Sequence, residues 1–176
     1  MQRTHSFFPF LFLAALVFLQ TSCGYSRKTV LTHEIQRVHV DTFKNKIPLE
    51  EIYAYEPGLE MKITNAIIRR FEQDGNLRVA NREKSDVVLE GDLVGFTQEG
   101  MRFTGLERIE EYRLFVVVNL RLRDTKTNEI IWEEPGFSGD TSYFLTGPRS
   151  VSRTIAAERA VDRLARNVVD RVVEDW

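Results

Sequence analysis

The sequence predicts an α+β domain in which two helices pack on one face of a four- to five-stranded, mainly antiparallel sheet. Three observations predict it. Tyr112, Leu114, Val116, Val118, Leu120 and Leu122 alternate strictly with Arg113, Phe115, Val117, Asn119, Arg121 and Arg123, the period of a strand with one face on a core. Two other stretches, Leu59 to Phe71 and Ala157 to Val173, carry apolar residues three and four apart, the period of helices that bury one stripe. The elements follow in the order strand, helix, four strands, helix, which lays both helices across a mostly antiparallel sheet.

Each element has its own justification. Val38 and Val40 alternate with His39 and Asp41, which marks a first strand. A turn-rich segment with Asn45, Pro48 and Pro57 leads to the first helix. Pro57 suits a first helical turn, and Gly75 is placed to supply the left-handed residue past the end. Leu77 and Val79 make a short strand, Asn81 to Ser85 a turn, and the next strand runs from Val87 towards Gln98. Gly91 and Gly95 fall on the same predicted face as Val87, Leu89 and Leu93, so a covering helix is expected to cross there. Gly100 to Glu111 reads as a loop before the central strand. Asp124 to Asn128 is a turn and Ile130 to Trp132 a paired strand, while Gly139, Gly147 and Pro148 mark Phe137 to Arg149 as irregular. A terminal helix from about Ser150 to Glu174 closes the chain.

The N-terminus reads as a targeting segment. Arg3 and His5 precede an apolar run from Phe7 to Leu19, too short for the roughly 20 residues of a membrane-spanning helix but right for a signal peptide. Thr21, Ser22 and the chain's single cysteine, Cys23, end it, an arrangement that resembles the lipobox of bacterial lipoproteins, although Leu19 stands one place early and Gln20 takes its position. The expected organisation is a signal peptide over 1–22, a lipidated leash over 23–34 and one domain over 35–176. By that resemblance Cys23 carries a diacylglycerol and an N-acyl chain such as palmitate. Several acyl chains hold a protein to a bilayer stably, where one is marginal. Gly24 in place of an aspartate is similar to the sorting pattern that favours the outer membrane, on its periplasmic side.

Composition narrows the function. Removing residues 1–22 from the 176 leaves 154 and takes away Arg3, changing the formal net charge from −2 to −3. Such a length suits one domain with a real core, and the mixed charge without a basic block gives no support to nucleic-acid binding. A lipidated Cys23 leaves no thiol for a disulfide, a metal site or a nucleophile. The mature histidines, His33 and His39, have no partner at helical metal-ligand spacing. Gly91 and Gly95 sit within a strand and build no dinucleotide loop. Glu50-Glu51, Glu110-Glu111 and Glu133-Glu134 are neighbours that point to opposite faces of a strand, so no placed acid and base emerges. The expectation is a protein that is not an enzyme, with no metal and no cofactor beyond its covalent lipid.

Motifs along the chain carry a family resemblance. They are Cys23-Gly24-Tyr25; the helix end Phe71-Glu72-Gln73-Asp74-Gly75 followed by Leu77-Arg78-Val79; Ser85-Asp86-Val87-Val88-Leu89-Glu90-Gly91; Glu111-Tyr112-Arg113-Leu114; Arg123-Asp124 with Trp132 downstream; and a final helix with spaced alanines ending at Trp176. In this order the mature chain resembles the LptE family of lipopolysaccharide-assembly lipoproteins. The resemblance implies two helices on a four- or five-stranded sheet, and a lipoprotein that plugs the large LptD barrel of the outer membrane. Such a protein helps that barrel assemble and assists lipopolysaccharide delivery to the cell surface. It also implies lipopolysaccharide binding by basic residues near loops at one end of the sheet, which by position are Arg102, Arg108 and Arg149. A guanidinium fork suits lipid A phosphates, whereas Glu107, Glu110 and Glu111 in the same loop repel an anion.

The residues themselves add a second candidate surface. Phe115 and Val117 form an apolar patch on the sheet face away from the helices, flanked by Arg113, Arg121 and Arg123. A bare patch of this kind needs a partner, and a barrel interior or an acyl chain would serve, unless the leash or the 137–149 segment covers it. A different function class fits the same layout: a periplasm-facing scaffold or activator lipoprotein, similar to activators of penicillin-binding proteins or to curli-secretion lipoproteins, which share an early Phe-x-Asn as in Phe43-Lys44-Asn45.

Overall fold

The computed structural model describes residues 35–48, 56–105 and 108–174; Cys23, the leash and the signal peptide lie outside them. The elements are β1 (Arg37–Val40), β2 (Lys44–Asn45), α1 (Leu59–Asp74), β3 (Arg78–Val79), a 3-10 turn (Arg82–Lys84), β4 (Val87–Phe103), β5 (Ile109–Asp124), β6 (Ile130–Phe144) and α2 (Arg153–Glu174). The strands form one sheet in the order β3-β1-β4-β5-β6, with β2 also beside β4. β4, β5 and β6 are an antiparallel meander, while β1 runs parallel to both β3 and β4. Both helices lie on one face, as the two helical periods predict.

The central alternation holds in full. Leu114, Val116, Val118, Leu120 and Leu122 are completely buried, and each contributes roughly 1.5–3 kcal/mol relative to an exposed side chain. They meet Ile63, Ile67 and Phe71 of α1 and Ala160, Leu164 and Val168 of α2 in one core. Gly75 ends α1 with φ 78°, its N–H donating to the Phe71 carbonyl at 3.0 Å, the left-handed cap that its position predicts.

Three local expectations are corrected. The close approach of a helix occurs at Gly139: a Cβ there would stand 2.4 Å from the Leu164 backbone nitrogen and 2.6 Å from the Ala160 carbonyl oxygen. Gly91 instead makes room for the ring of Phe43, which would lie 2.1 Å from an added Cβ. A register shift between Leu93 and Gly95 rotates Gly95 onto the opposite face, where it pairs with Val117, as a β-bulge does.

The other two corrections concern strand length. Phe137 to Phe144 continues β6, pairing Phe137 with Val118 through Phe144 with Glu111. The expected loop from Gly100 shrinks because β4 runs on to Phe103 and β5 starts at Ile109. Arg102 therefore lies in a strand, opposite Glu111.

These lengths place the ends of the molecule. The chain enters β1 beside the start of β4, while the β4–β5 hairpin tip and the end of β6 lie together at the far end of the sheet. Leu59 and Ala157 line one cleft between the helices, Ala66 and Ala165 line the next, and Arg70 reaches Asp170 at 3.9 Å, so α1 and α2 run in the same direction. Since α2 begins just after β6 ends, both helix N-termini point towards the hairpin end, where their dipoles add positive potential.

Candidate functional site

Two surfaces hold the sequence-predicted residues. The first is the hairpin end. Phe144, the last residue of β6, carries the guanidinium of Arg149 at 4.7 Å from its ring centroid and that of Arg102 at 5.7 Å. Two of the three predicted arginines thus converge on one aromatic ring, an arrangement that favours the cation electrostatically. Arg102 also faces Glu111 at 3.6 Å, which offsets part of its charge. Arg108 is not part of this cluster; it is exposed in the hairpin turn, where its N–H donates to Thr104 Oγ1 at 3.3 Å.

The chain beyond β6 is folded back here. Val151 N–H donates to the Phe144 carbonyl at 3.3 Å and Ser150 N–H to the Gly147 carbonyl at 3.1 Å, the turn passing through Gly147 at φ 85°. Ser152 then starts α2, its hydroxyl accepting from the Ile155 N–H at 3.3 Å, as N-cap serines do. Met101, Phe103 and Leu145 at this end are 50%, 59% and 48% exposed, so apolar side chains stand beside the arginines.

The second surface is the sheet face opposite the helices. Arg113, Phe115, Val117 and Arg121 all lie on it, as the alternation predicts, and no described helix or strand covers it. The 137–144 segment leaves it open, because as β6 it pairs edge to edge with β5. The arginines, however, are partnered. Arg113 Nε donates to Asp140 at 2.8 Å while its guanidinium lies 5.4 Å from the Phe115 centroid. Arg121 faces Asp92 at 3.2 Å, Glu90 at 3.5 Å and Glu133 at 3.8 Å, and Arg123 bonds Glu90 at 3.3 Å and the Asn128 carbonyl at 2.9 Å. Hydrogen bonding from Arg123, aided by the charges of Arg121 and Arg82, holds the Glu90 carboxyl below its usual range against the opposing effect of burial. Phe115 and Val117 therefore form an apolar strip between two ion-paired clusters.

Sequence reasoning missed the acids on this face because they come from β4 and β6, which only strand register brings opposite Arg121 and Arg113. Among the described residues no group of three or more His, Cys, Asp or Glu could hold a metal ion, and no helix is long and apolar enough to cross a membrane.

Residues 35–176 match the family LptE, described as lipopolysaccharide-assembly. The chain belongs to the LptE family. Its members work without a cofactor. No curated protein matches the sequence. Among solved structures, a hypothetical protein from Chlamydia trachomatis is similar over 78% of this chain and 95% of its own, with a TM-score of 0.54 at 15% identity, and it supports the fold alone. A Xanthomonas campestris protein covers 79% of this chain and 82% of its own at 14% identity and a TM-score of 0.48. A minor lipoprotein from Acinetobacter baumannii covers 79% and 93% at 12% identity, also with a TM-score of 0.48.

Proposed function

We propose that the mature chain starts at an acylated Cys23 and is held on the periplasmic side of the outer membrane, where it plugs and helps assemble an LptD-like barrel and assists lipopolysaccharide delivery to the cell surface. The observation that carries this reading is the LptE match across residues 35–176, the whole of the described domain. Two features support it. An open sheet face with a Phe115/Val117 strip is a surface for a barrel wall or an acyl chain to cover. The hairpin end offers Arg102 and Arg149 on Phe144, beside exposed Met101, Phe103 and Leu145, a mixture of cationic and apolar groups suited to a phosphorylated glycolipid.

Depletion tests the reading. Cells deprived of this chain are expected to lose assembled barrel protein and surface lipopolysaccharide together, both restored by the wild-type gene. Normal levels of both after depletion would refute the proposal. Loss of a peptidoglycan synthase activity or of curli-type export instead would favour the scaffold or activator class.

A further inference from the structure

The furrow between α1 and α2 changes character along its length. Towards the helix N-termini it carries Glu56, Glu158 and Asp162 against Lys62 and Arg69, three carboxylates to two cations. Towards the C-termini it becomes a hollow of about 200 Å³, with the buried Ala66 and Ala165 at its base and Arg69, Arg70 and Gln73 of α1 facing Arg166 of α2 around it. Asp162 is the one carboxylate in this lining, so an entering anion meets three guanidiniums and a single like charge. Alanine on both helices leaves the space, and the arginines around it supply planar, many-donor groups suited to oxyanions.

The fold itself leaves these cations largely unused. Arg69 and Arg166 are exposed, and their side chains form no ion pair with a described residue. Arg70 meets Asp170 only at 3.9 Å, and its Nε is buried without a hydrogen-bond partner among the described residues, an unmet donor that costs free energy until an acceptor arrives. Offsetting the helix dipole is not the role of Arg69 and Arg70, because they precede the last turn of α1, which holds no basic residue.

The hollow lies towards the end at which the chain enters the domain. From Asp74 the chain passes through Gly75 into β3, whose Arg78 pairs with Arg37 of β1. Ile130 and Ile131, 47% and 37% exposed, stand at the same end, since Ile130 pairs with Arg123, and Arg123 with Val88 beside β1. The leash proposed over 23–34 spans at most about 40 Å when extended, so a bilayer that holds Cys23 is within reach. Guanidiniums with exposed apolar side chains near them are the chemistry of a charged membrane interface. We infer that the hollow of Arg69, Arg70 and Arg166 seats the phosphate of an anionic phospholipid head group in the leaflet that holds the tether. The inference rests on the acylated Cys23 proposed above, and it concerns the end of the domain opposite the β4–β5 hairpin.

Titration calorimetry of the chain purified from membranes in uncharged detergent micelles tests it, with dihexanoyl phosphatidylglycerol, dihexanoyl phosphatidylcholine, inorganic phosphate and a short oligoglutamate peptide as probes. Phosphatidylglycerol is expected to bind, and the other three at least about tenfold more weakly. Arg69→Gln and Arg166→Gln should each lose about fivefold in affinity, and Asp162→Asn should gain about threefold by removing the like charge. Arg163→Gln, on α2 but outside the hollow, and Arg149→Ala, at the other end of the domain, should bind as wild type does. All five side chains are exposed, so circular dichroism should show wild-type folding. Equal binding of phosphatidylcholine would overturn the role of charge. Inorganic phosphate or oligoglutamate binding as tightly as phosphatidylglycerol would overturn the lipid assignment in favour of a free anion or an acidic protein. Full affinity in both Arg69→Gln and Arg166→Gln, or an equal loss in Arg163→Gln, would overturn the hollow as the seat. Mass spectrometry of the same sample separates this from the tether: an acylated chain that ignores phosphatidylglycerol ends the inference alone, and an unmodified Cys23 on a chain that binds it ends the tether reading alone.

Discussion

Gly139 and Leu164 bring β6 and α2 into backbone contact, so close that a Cβ on Gly139 would stand 2.4 Å from the Leu164 nitrogen. The contact explains why α2 is rich in alanine where it crosses the sheet: Ala156, Ala157, Ala160 and Ala165 are all buried, and small side chains let the helix approach. Gly139→Ala must push helix and strand apart, and is expected to destabilise the domain by about 1–3 kcal/mol. Gly105→Ala, with nothing within 4 Å of the added Cβ, should change stability by less than about 0.5 kcal/mol. Urea unfolding followed by circular dichroism checks both. Equal midpoints for the two variants would show that the helix can yield.

A second prediction concerns pH. Asp86, which is 8% exposed, accepts from Arg37 Nη2 at 2.9 Å, and from the Gln36 and Arg37 backbone N–H groups at 3.1 and 3.0 Å. The hydrogen bond from Arg37 is the main cause that holds its carboxyl below the usual range, burial opposing it. A depressed folded-state pKa stabilises the fold above the ordinary aspartate value of about 3.9, and that contribution is lost as pH falls through and below it. Asp86→Asn should therefore cost about 1.5–3 kcal/mol at neutral pH, the gap from wild type narrowing under acid conditions. A pH-independent gap between the two unfolding curves would contradict this.

The fold was legible where local chemistry decides it, and less so where the third dimension does. The β5 alternation and the cap at Gly75 follow from side-chain period and backbone freedom, which need no distant partner. Gly91 and Gly139 look alike in sequence, yet one accommodates a phenylalanine ring and the other a helix backbone, a distinction set by contacts from Phe43 and Leu164. The bulge after Leu93 reverses which face the following residues occupy, and nothing in the alternation of Val87 to Gln98 announces it. At the candidate sites, the placement of Phe115, Val117, Arg113 and Arg121 on one face was readable from parity. The acids beside them were not, because pairing of β4 and β6 with β5 supplies them.

A third prediction addresses the tether, which lies outside the described residues. Cys23→Ala removes the thiol that would be acylated, and the chain should move from the membrane fraction to the soluble periplasmic fraction. Mass spectrometry of the wild-type N-terminus should find the acyl chains on Cys23. An unmodified Cys23 in membrane-associated protein would contradict the proposed anchor.

The most direct test of the central claim is copurification from detergent-solubilised outer membranes. Tagged wild-type chain is expected to retain a large LptD-like barrel protein. The Phe115→Ser, Val117→Thr double variant should fold yet retain several-fold less, because it makes the apolar strip polar without disturbing the Arg121 cluster. Reversing Arg121 would be a poorer probe, since a carboxylate there would face Glu90, Asp92 and Glu133. Recovery of the barrel with wild type and its loss with the folded double variant is the predicted result. Absence of any barrel with wild type, with a peptidoglycan synthase or a curli-type pore in its place, would contradict the account.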